Sequence, residues 1–316
     1  MVQIGNSGID ISRVVLGGNV FGWTADEESS FAILDAYLDG GGNSVDLADS
    51  YPHWAQGCRG GESEQIVGRW MADRGNRDAV VVATKVGKFP GNYGLSREQI
   101  NAGLRGSLER LQTEYVDLYY CHLDDPQTPL EETLEALAEQ IEAGRIRAIA
   151  ASNYSTERLA AALATSDRLG LPRFVAVQPQ YSLVVRDEFE GSLQQLCERE
   201  GLSCLPFWPL AAGFLTGKYT TSDIGDSPRG RHVAQFFTER NWQVLAVVRD
   251  IAVSHGVEPT TVALAWLLTR PTVAAPVASV SRMSQLPALM QSMTLELTVD
   301  ELAELDEVSA PRSASS

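Results

Sequence analysis

With 316 residues, 44% of them hydrophobic and 21% charged, the chain can bury a full core, and its length suits either two ordinary domains or one large α/β barrel. A formal charge of -16, from 25 Lys and Arg against 41 Asp and Glu, argues against a nucleic-acid partner or an anionic membrane surface. The opening MVQIGNSGID is neither basic nor apolar, no run of 18 apolar residues occurs, and Cys58, Cys121, Cys197 and Cys204 form no CxxC pair, so a cytoplasmic protein with reduced thiols is expected.

In chain order, short β-branched or aromatic runs occur at 14–21, 43–51, 79–87, 116–123, 146–153, 174–182, 202–210 and 273–280. Between them, segments 26–39, 96–111, 129–143 and 156–169 place apolar residues at helical spacing. Ser96 followed by Gln99 reads as a capping box, and Gly144 and Gly170 stand just past their helices. The first seven runs begin at intervals of roughly 28 to 37 residues, about one βα unit each. Their near-continuous hydrophobicity is that of a parallel sheet covered by helices. The last interval is about twice as long and holds a Gly- and Pro-containing excursion at 211–231, then two helical segments at 241–255 and 260–270. Eight such units predict a single-domain (β/α)8 TIM barrel over 1–316, with a disordered tail at 310–316. The rival, a doubly wound sheet, is expected to carry G-x-G-x-x-G after its first strand, and neither that motif nor a phosphate-binding P-loop occurs. Gly17-Gly18 and Gly40-Gly41-Gly42 read as tight backbone passages.

In a barrel, chemistry gathers at the C-terminal strand ends, so polar residues that interrupt an apolar strand there carry most weight. Asp46 and Tyr51 lie in the second run, Lys85 ends VVVATK in the third, and His122 ends LYYCHL in the fourth. Taken singly, each has a structural reading: an Asp-Lys pair holds folds together and a strand-end Tyr packs. Together they suit hydride transfer to a carbonyl, which leaves negative charge on oxygen and needs a proton donor. Tyr51 is the candidate donor, Lys85 the ammonium that lowers its pKa, Asp46 the carboxylate that keeps Lys85 charged, and His122 the group that orients the carbonyl oxygen. None of the four histidines, His53, His122, His232 and His255, forms an i, i+3 or i, i+4 pair, so no metal site is expected.

The strings LGGNVFGW, NSVDLADSY, GGESEQIVGRW, VVATKVG, LYYCHLDDP, ALAEQIEAGRIRAIAASNY, VQPQYSLV and PLAAGFLTGKY, in this order over nearly the whole chain, resemble the aldo-keto reductase family. That resemblance implies a (β/α)8 barrel and a catalytic tetrad of Asp46, Tyr51, Lys85 and His122. It also implies cofactor contacts from Ser152, Asn153 and Gln178 to the nicotinamide carboxamide, from Phe207 to its ring, and from Leu210, Gly213, Leu215 and Lys218 to the pyrophosphate. PVASVSRMSQL resembles the family's 2′-phosphate clamp through Ser281, Arg282 and Gln285, which implies NADP(H) with NAD(H) as the second nicotinamide. The chain departs from the family where Ser279 replaces a Gly, Leu289 an Asn and Trp208 a small residue. The long loop PHWAQGCRGGESE, including Trp54, together with Trp23, is expected to shape the pocket for a small carbonyl substrate. Two further readings stand beside reduction of aldehydes or ketones: a nicotinamide-binding regulatory subunit with weak or no turnover, and an isomerase or lyase barrel using Lys85 as a Schiff-base amine.

Overall fold

Every one of the eight hydrophobic runs contributes one strand to a single sheet in the computed structural model, which describes residues 1–220 and 230–311. The strands are β1 (Val15–Gly17), β2 (Ser44–Asp46), β3 (Val81–Val86), β4 (Val116–Cys121), β5 (Ile146–Ser152), β6 (Phe174–Gln178), β7 (Ser203–Cys204) and β8 (Val277–Ala278). They pair in parallel in the order β7-β6-β5-β4-β3-β2-β1-β8. A parallel bridge between Cys204 and Val273, and a hydrogen bond from the Val277 amide to the Pro206 carbonyl, join β7 to the β8 segment and close the ring. The expected (β/α)8 barrel is the architecture.

The ladder is shorter than the hydrophobic runs because hydrophobicity reports burial, and residues can be buried at the rim without pairing. The run 43–51 pairs only over Ser44–Asp46, while Leu47, Ala48, Asp49 and Ser50 continue buried towards Tyr51. Helices α1 (Glu27–Asp39), α2 (Glu62–Arg74), α3 (Arg97–Leu111), α4 (Leu130–Glu142), α5 (Thr156–Leu169) and α6 (Ser192–Glu200) follow the first six strands. The Ser96 and Gln99 capping box forms as expected, and Gly170 ends α5 with φ 67. Helix α2 approaches α3 so closely at Gly68 that a Cβ there would lie 2.3 Å from the Arg110 carbonyl oxygen.

After β7 come a 3-10 segment (Ala211–Thr216), short α7 (Gly230–Val233), α8 (Glu239–His255) and α9 (Pro259–Leu268), then α10 (Leu286–Gln291) and α11 (Val299–Ser309). The middle of the 211–231 excursion, and the tail from 312, lie outside the described residues. Helix α11 was not foreshadowed by the apolar pattern; Thr298 and Glu301 cap it reciprocally. Among the described residues no single helix is long and apolar enough to cross a membrane.

Two buried clusters show what the alternation of β side chains does. Leu118 and Tyr120 of β4, Ala83 of β3, and Ala148 and Ala150 of β5 belong to the barrel interior, whereas Tyr119, Cys121, Val82 and Ile149 pack outward among the helices. Ile4, Ile9 and Ile11, from an antiparallel pair Val2–Gln3 and Asp10–Ile11, join the interior cluster, and the Gly5 amide donates to Ser203 Oγ at 2.8 Å. This pair therefore plugs the N-terminal end of the barrel. The same period of two carries inward-facing positions from Ala83 to Lys85, Tyr120 to His122 and Ala176 to Gln178, all at C-terminal strand ends.

Candidate active site

At the strand ends, the Lys85 ammonium donates to Asp46 Oδ1 and, at 2.7 Å, to the Leu47 carbonyl. The second Asp46 oxygen accepts from Gln178 Nε2 at 2.8 Å. Lys85 is fully buried and Asp46 nearly so, so the two charges are withdrawn from water and satisfied by one another. Burial alone would lower the Lys85 pKa, but Asp46 and the Tyr51 phenol outweigh it and hold the ammonium above its ordinary value. Tyr51 is half-buried, with its ring centroid 5.1 Å from Lys85 Nζ and 5.8 Å from the His122 ring.

One expectation is corrected here. Lys85 was expected to bring the Tyr51 phenol below its ordinary value, yet burial is the larger effect and leaves it raised. Lys85 is the strongest influence in the opposite sense, and the Asp46 and Asp49 carboxylates reinforce burial. His122 is driven well below the ordinary histidine range by burial first, then by Lys85, Lys88 and His53, so its imidazole is neutral. Its Nδ1 is buried without a hydrogen-bond partner among the described residues.

Tyr51, Asp46 and His122 open onto one cavity of about 1090 Å³. Ser152, Asn153, Gln178, Phe207, Leu210, Gly213, Lys218, Ser281, Arg282, Gln285, Trp23 and Trp54, all anticipated from the sequence, line it too. Leu215 does not: it is fully buried in the outer core, and its amide donates to the Leu210 carbonyl at 3.2 Å. Lys85 lies behind the wall, beneath Asp46 and Tyr51, which line the cavity. Asn153 adopts φ 59, which an Asn side chain tolerates, and its Nδ2 donates to the His122 carbonyl at 2.8 Å. The loop after β7 carries three non-glycine residues at positive φ, Trp208, Ala211 and Ala212; such strain is held in place by surrounding structure and gathers at ligand sites.

Near β8, Ser279 Oγ donates to Asn19 Oδ1 at 2.6 Å and lies where a Cβ on Gly17 would meet it at 2.5 Å, so the lack of a side chain at Gly17 makes room for Ser279. Leu289 is buried in the outer core. Gln285 Oε1 accepts from the amides of Ser281 and Arg282, at 2.8 and 3.2 Å. The segment continues as a short 3-10 turn (Met283–Gln285) that leads into α10, and with these two amides occupied the exposed Arg282 side chain is the positive group here.

Sequence reasoning missed Lys88, Asn19 and Thr24, which line the cavity, and a buried polar cluster beside Tyr51. There Glu64, fully buried, accepts from Thr84 Oγ1 at 2.5 Å and Arg110 Nε at 2.7 Å, while neither oxygen of Asp49 has a hydrogen-bond partner among the described residues. Lys88 follows Gly87 directly after β3, so the strand-end rule that selected Lys85 extends to it. No pattern in the sequence joins Asp49 to Glu64.

The closed parallel barrel, with a buried Lys-Asp pair beneath a tyrosine and a neutral histidine at its C-terminal rim, has the makings of an oxidoreductase. The model of the Aldo/keto reductase family matches residues 13–310, and the chain belongs to that family, whose members are NAD(P)H-dependent oxidoreductases. It is 34% identical over 337 residues to "Protein tas" of Escherichia coli (strain K12), covering 97% of this chain and 96% of the relative. It is 33% identical to L-glyceraldehyde 3-phosphate reductase of the same organism, covering 96% and 90%. A probable voltage-gated potassium channel subunit beta of Oryza sativa subsp. japonica is also 33% identical, covering 92% and 90%.

Proposed function

We propose that the protein reduces aldehydes or ketones to alcohols with NADPH, Tyr51 acting as the general acid. The observation that carries this reading is the buried Asp46–Lys85 pair directly behind a phenol that reaches the cavity. An ion pair withdrawn from water is costly to maintain for stability alone, and here it lies behind a phenol placed to exchange a proton with a bound substrate.

The cavity wall fits a nicotinamide dinucleotide: its volume exceeds the range of about 300 to 1,000 Å³ usual for small-molecule pockets, and Arg282 on it has no ion-pair partner among the described residues. Phe207 presents an aromatic face, Ser152, Asn153 and Gln178 present amide and hydroxyl groups, and Lys218 with Gly213 suits a pyrophosphate. When bound, the nicotinamide supplies the hydride. The chain's own residues do the rest. His122 has no acceptor beside Nδ1, so the Nε2–H tautomer is the one that can donate to a carbonyl oxygen and fix its angle. Tyr51, kept protonated by burial, gives its proton to the same oxygen as charge develops there. Lys85 then stabilises the phenolate left behind, and Asp46 and Gln178 hold Lys85 in position. Trp23 and Trp54, 5.9 Å apart edge to face, with Trp54 5.5 Å from Tyr51, form an apolar wall over the reacting carbon.

The likeness to the rice channel subunit beta keeps a second reading open, a regulatory subunit that binds the nucleotide with weak or no turnover. A Schiff-base role for Lys85 is disfavoured, because an ion-paired, fully buried ammonium is a poor nucleophile. The deciding experiment is NADPH oxidation followed with a broad aldehyde and ketone panel that includes 4-nitrobenzaldehyde. Turnover supports the reductase; tight nucleotide binding without turnover across the panel supports the regulatory subunit.

A further inference from the structure

Lys88 is a half-buried ammonium on the cavity wall to which the proton-transfer scheme assigns no task. It opens a two-residue strand (Lys88–Phe89) that pairs antiparallel with Asn92–Tyr93 just beyond β3. Neighbouring side chains on a strand take opposite faces. Phe89 takes the outer one: the Arg110 guanidinium lies 5.7 Å from its ring centroid, and a Cβ on Gly60 would come within 3.0 Å of the ring. Lys88 is thereby turned to the cavity, where it shares the wall with Tyr51, Trp54 and His122.

Among the described residues no carboxylate pairs with it, although Asp and Glu outnumber Lys and Arg by 41 to 25 in this chain. The contrast with Lys85 is direct, since that ammonium is neutralised by Asp46. Burial and the Lys85 charge both work against the protonated form of Lys88, and nothing within the described fold compensates. The other cations on the wall, Lys218 and Arg282, come from the loops after β7 and β8 and are taken up by the nucleotide in the reading above. Lys88 instead belongs to the reacting end, where its charge acts on the His122 imidazole.

We propose that Lys88 receives an anionic group of the carbonyl substrate, so that the preferred substrates are aldehydes or ketones bearing a carboxylate or a phosphate. The proposal rests on the reductase reading and names the substrate class of that site. Trp23 and Trp54 cover the carbon skeleton while the carbonyl oxygen lies at Tyr51 and His122, and the anion completes the pairing that Lys88 lacks.

The test uses the full chain with NADPH and two matched pairs: succinic semialdehyde against butanal, and glyceraldehyde 3-phosphate against glyceraldehyde. Wild type is expected to favour the charged member of at least one pair, and which pair responds separates carboxylate from phosphate. In Lys88→Met the ratio of kcat/KM for charged over neutral substrate is expected to fall about ten- to hundred-fold, chiefly through KM, and Lys88→Arg is expected to restore most of it. Equal losses on charged and neutral members, or an unchanged ratio, overturn the assignment while leaving the reductase reading intact. Failure of wild type to reduce any of the four, and 4-nitrobenzaldehyde besides, overturns the reductase reading and this proposal with it.

Discussion

Gln178 and Asp46, 132 residues apart in the chain, meet inside the barrel: Gln178 Nε2 donates to Asp46 Oδ2 at 2.8 Å while the other carboxylate oxygen takes the Lys85 ammonium. With both oxygens engaged, Asp46 is held in place as the partner of Lys85, and in the proposed function the mobile proton belongs to Tyr51.

Tyr51→Phe removes that proton with almost no change of shape. Carbonyl reduction is expected to fall roughly 10²- to 10⁴-fold, the usual worth of positioned acid–base catalysis, with NADPH affinity nearly unchanged. Steady-state kinetics on 4-nitrobenzaldehyde and a fluorescence titration of NADPH check it. Near-normal turnover in the Phe variant would remove Tyr51 from the role of acid.

Lys85→Met takes away the strongest influence lowering the phenol pKa, so that pKa moves further up. Alcohol oxidation needs the phenolate and reduction needs the phenol, so the pH at which oxidation becomes half-maximal is expected to rise while reduction near neutrality loses kcat without a new pH dependence. Removing one partner of a buried ion pair destabilises by roughly 3 to 5 kcal/mol, so Asp46→Asn combined with Lys85→Met serves as the folding control. An oxidation profile that keeps its midpoint in both variants would separate Lys85 from Tyr51.

Arg282→Ala tests the cofactor preference. Hydrogen bonds to charged groups contribute roughly 1.5 to 3 kcal/mol, so NADPH binding is expected to weaken about ten-fold or more while NADH changes by less than about two-fold. Gln285 already occupies the Ser281 and Arg282 amides, so the expected discrimination rests on the guanidinium. Equal losses for both nucleotides, or none, would rule out a 2′-phosphate contact at Arg282.

Asp49 makes a prediction about stability. Burial, aided by the Glu64 carboxylate, raises its pKa from 3.8 to about 8. The folded state therefore holds a proton that the unfolded chain releases, and the associated stabilisation, complete below about pH 4, is lost as pH rises towards 8, by up to roughly 1.4 kcal/mol per pH unit. Asp49→Asn mimics the protonated form at every pH, so it is expected to raise the urea midpoint at pH 8 and above and to flatten its fall between pH 5 and 8. A wild-type slope preserved in the Asn variant would assign the pH dependence to other groups.

Much of the site was legible before any coordinates because a strand end imposes a local rule. Polar residues that interrupt an apolar β run near its C-terminal end are candidates for the barrel mouth, and Asp46, Lys85 and His122 gather there, whereas Thr84, one position before Lys85, takes the opposite face and donates to Glu64; Gln178 came from the family resemblance. The N-terminal plug was not legible, since Ile4, Ile9 and Ile11 lie in pieces of chain too short to display a period. Nor was the burial of Glu64, which sits in a polar string, GGESE, and is paired with Thr84 and Arg110 from other elements.

By itself, then, the sequence determined the count of eight strands, α1, α3, α4, α5, α8 and α9 among the helices, and the identity of the residues at the strand ends, because hydrophobic period and caps are properties of neighbours along the chain. Tertiary structure alone decided how strongly those residues act on one another. Burial raised the Tyr51 phenol against the pull of Lys85; packing drew Leu215 into the core, set Gln285 on the Ser281 and Arg282 amides, and left the Lys88 ammonium without an ion-pair partner and the Asp49 carboxylate without a hydrogen bond among the described residues. Each of these follows from distance and desolvation between segments remote in sequence, and neither quantity is defined until the barrel has closed.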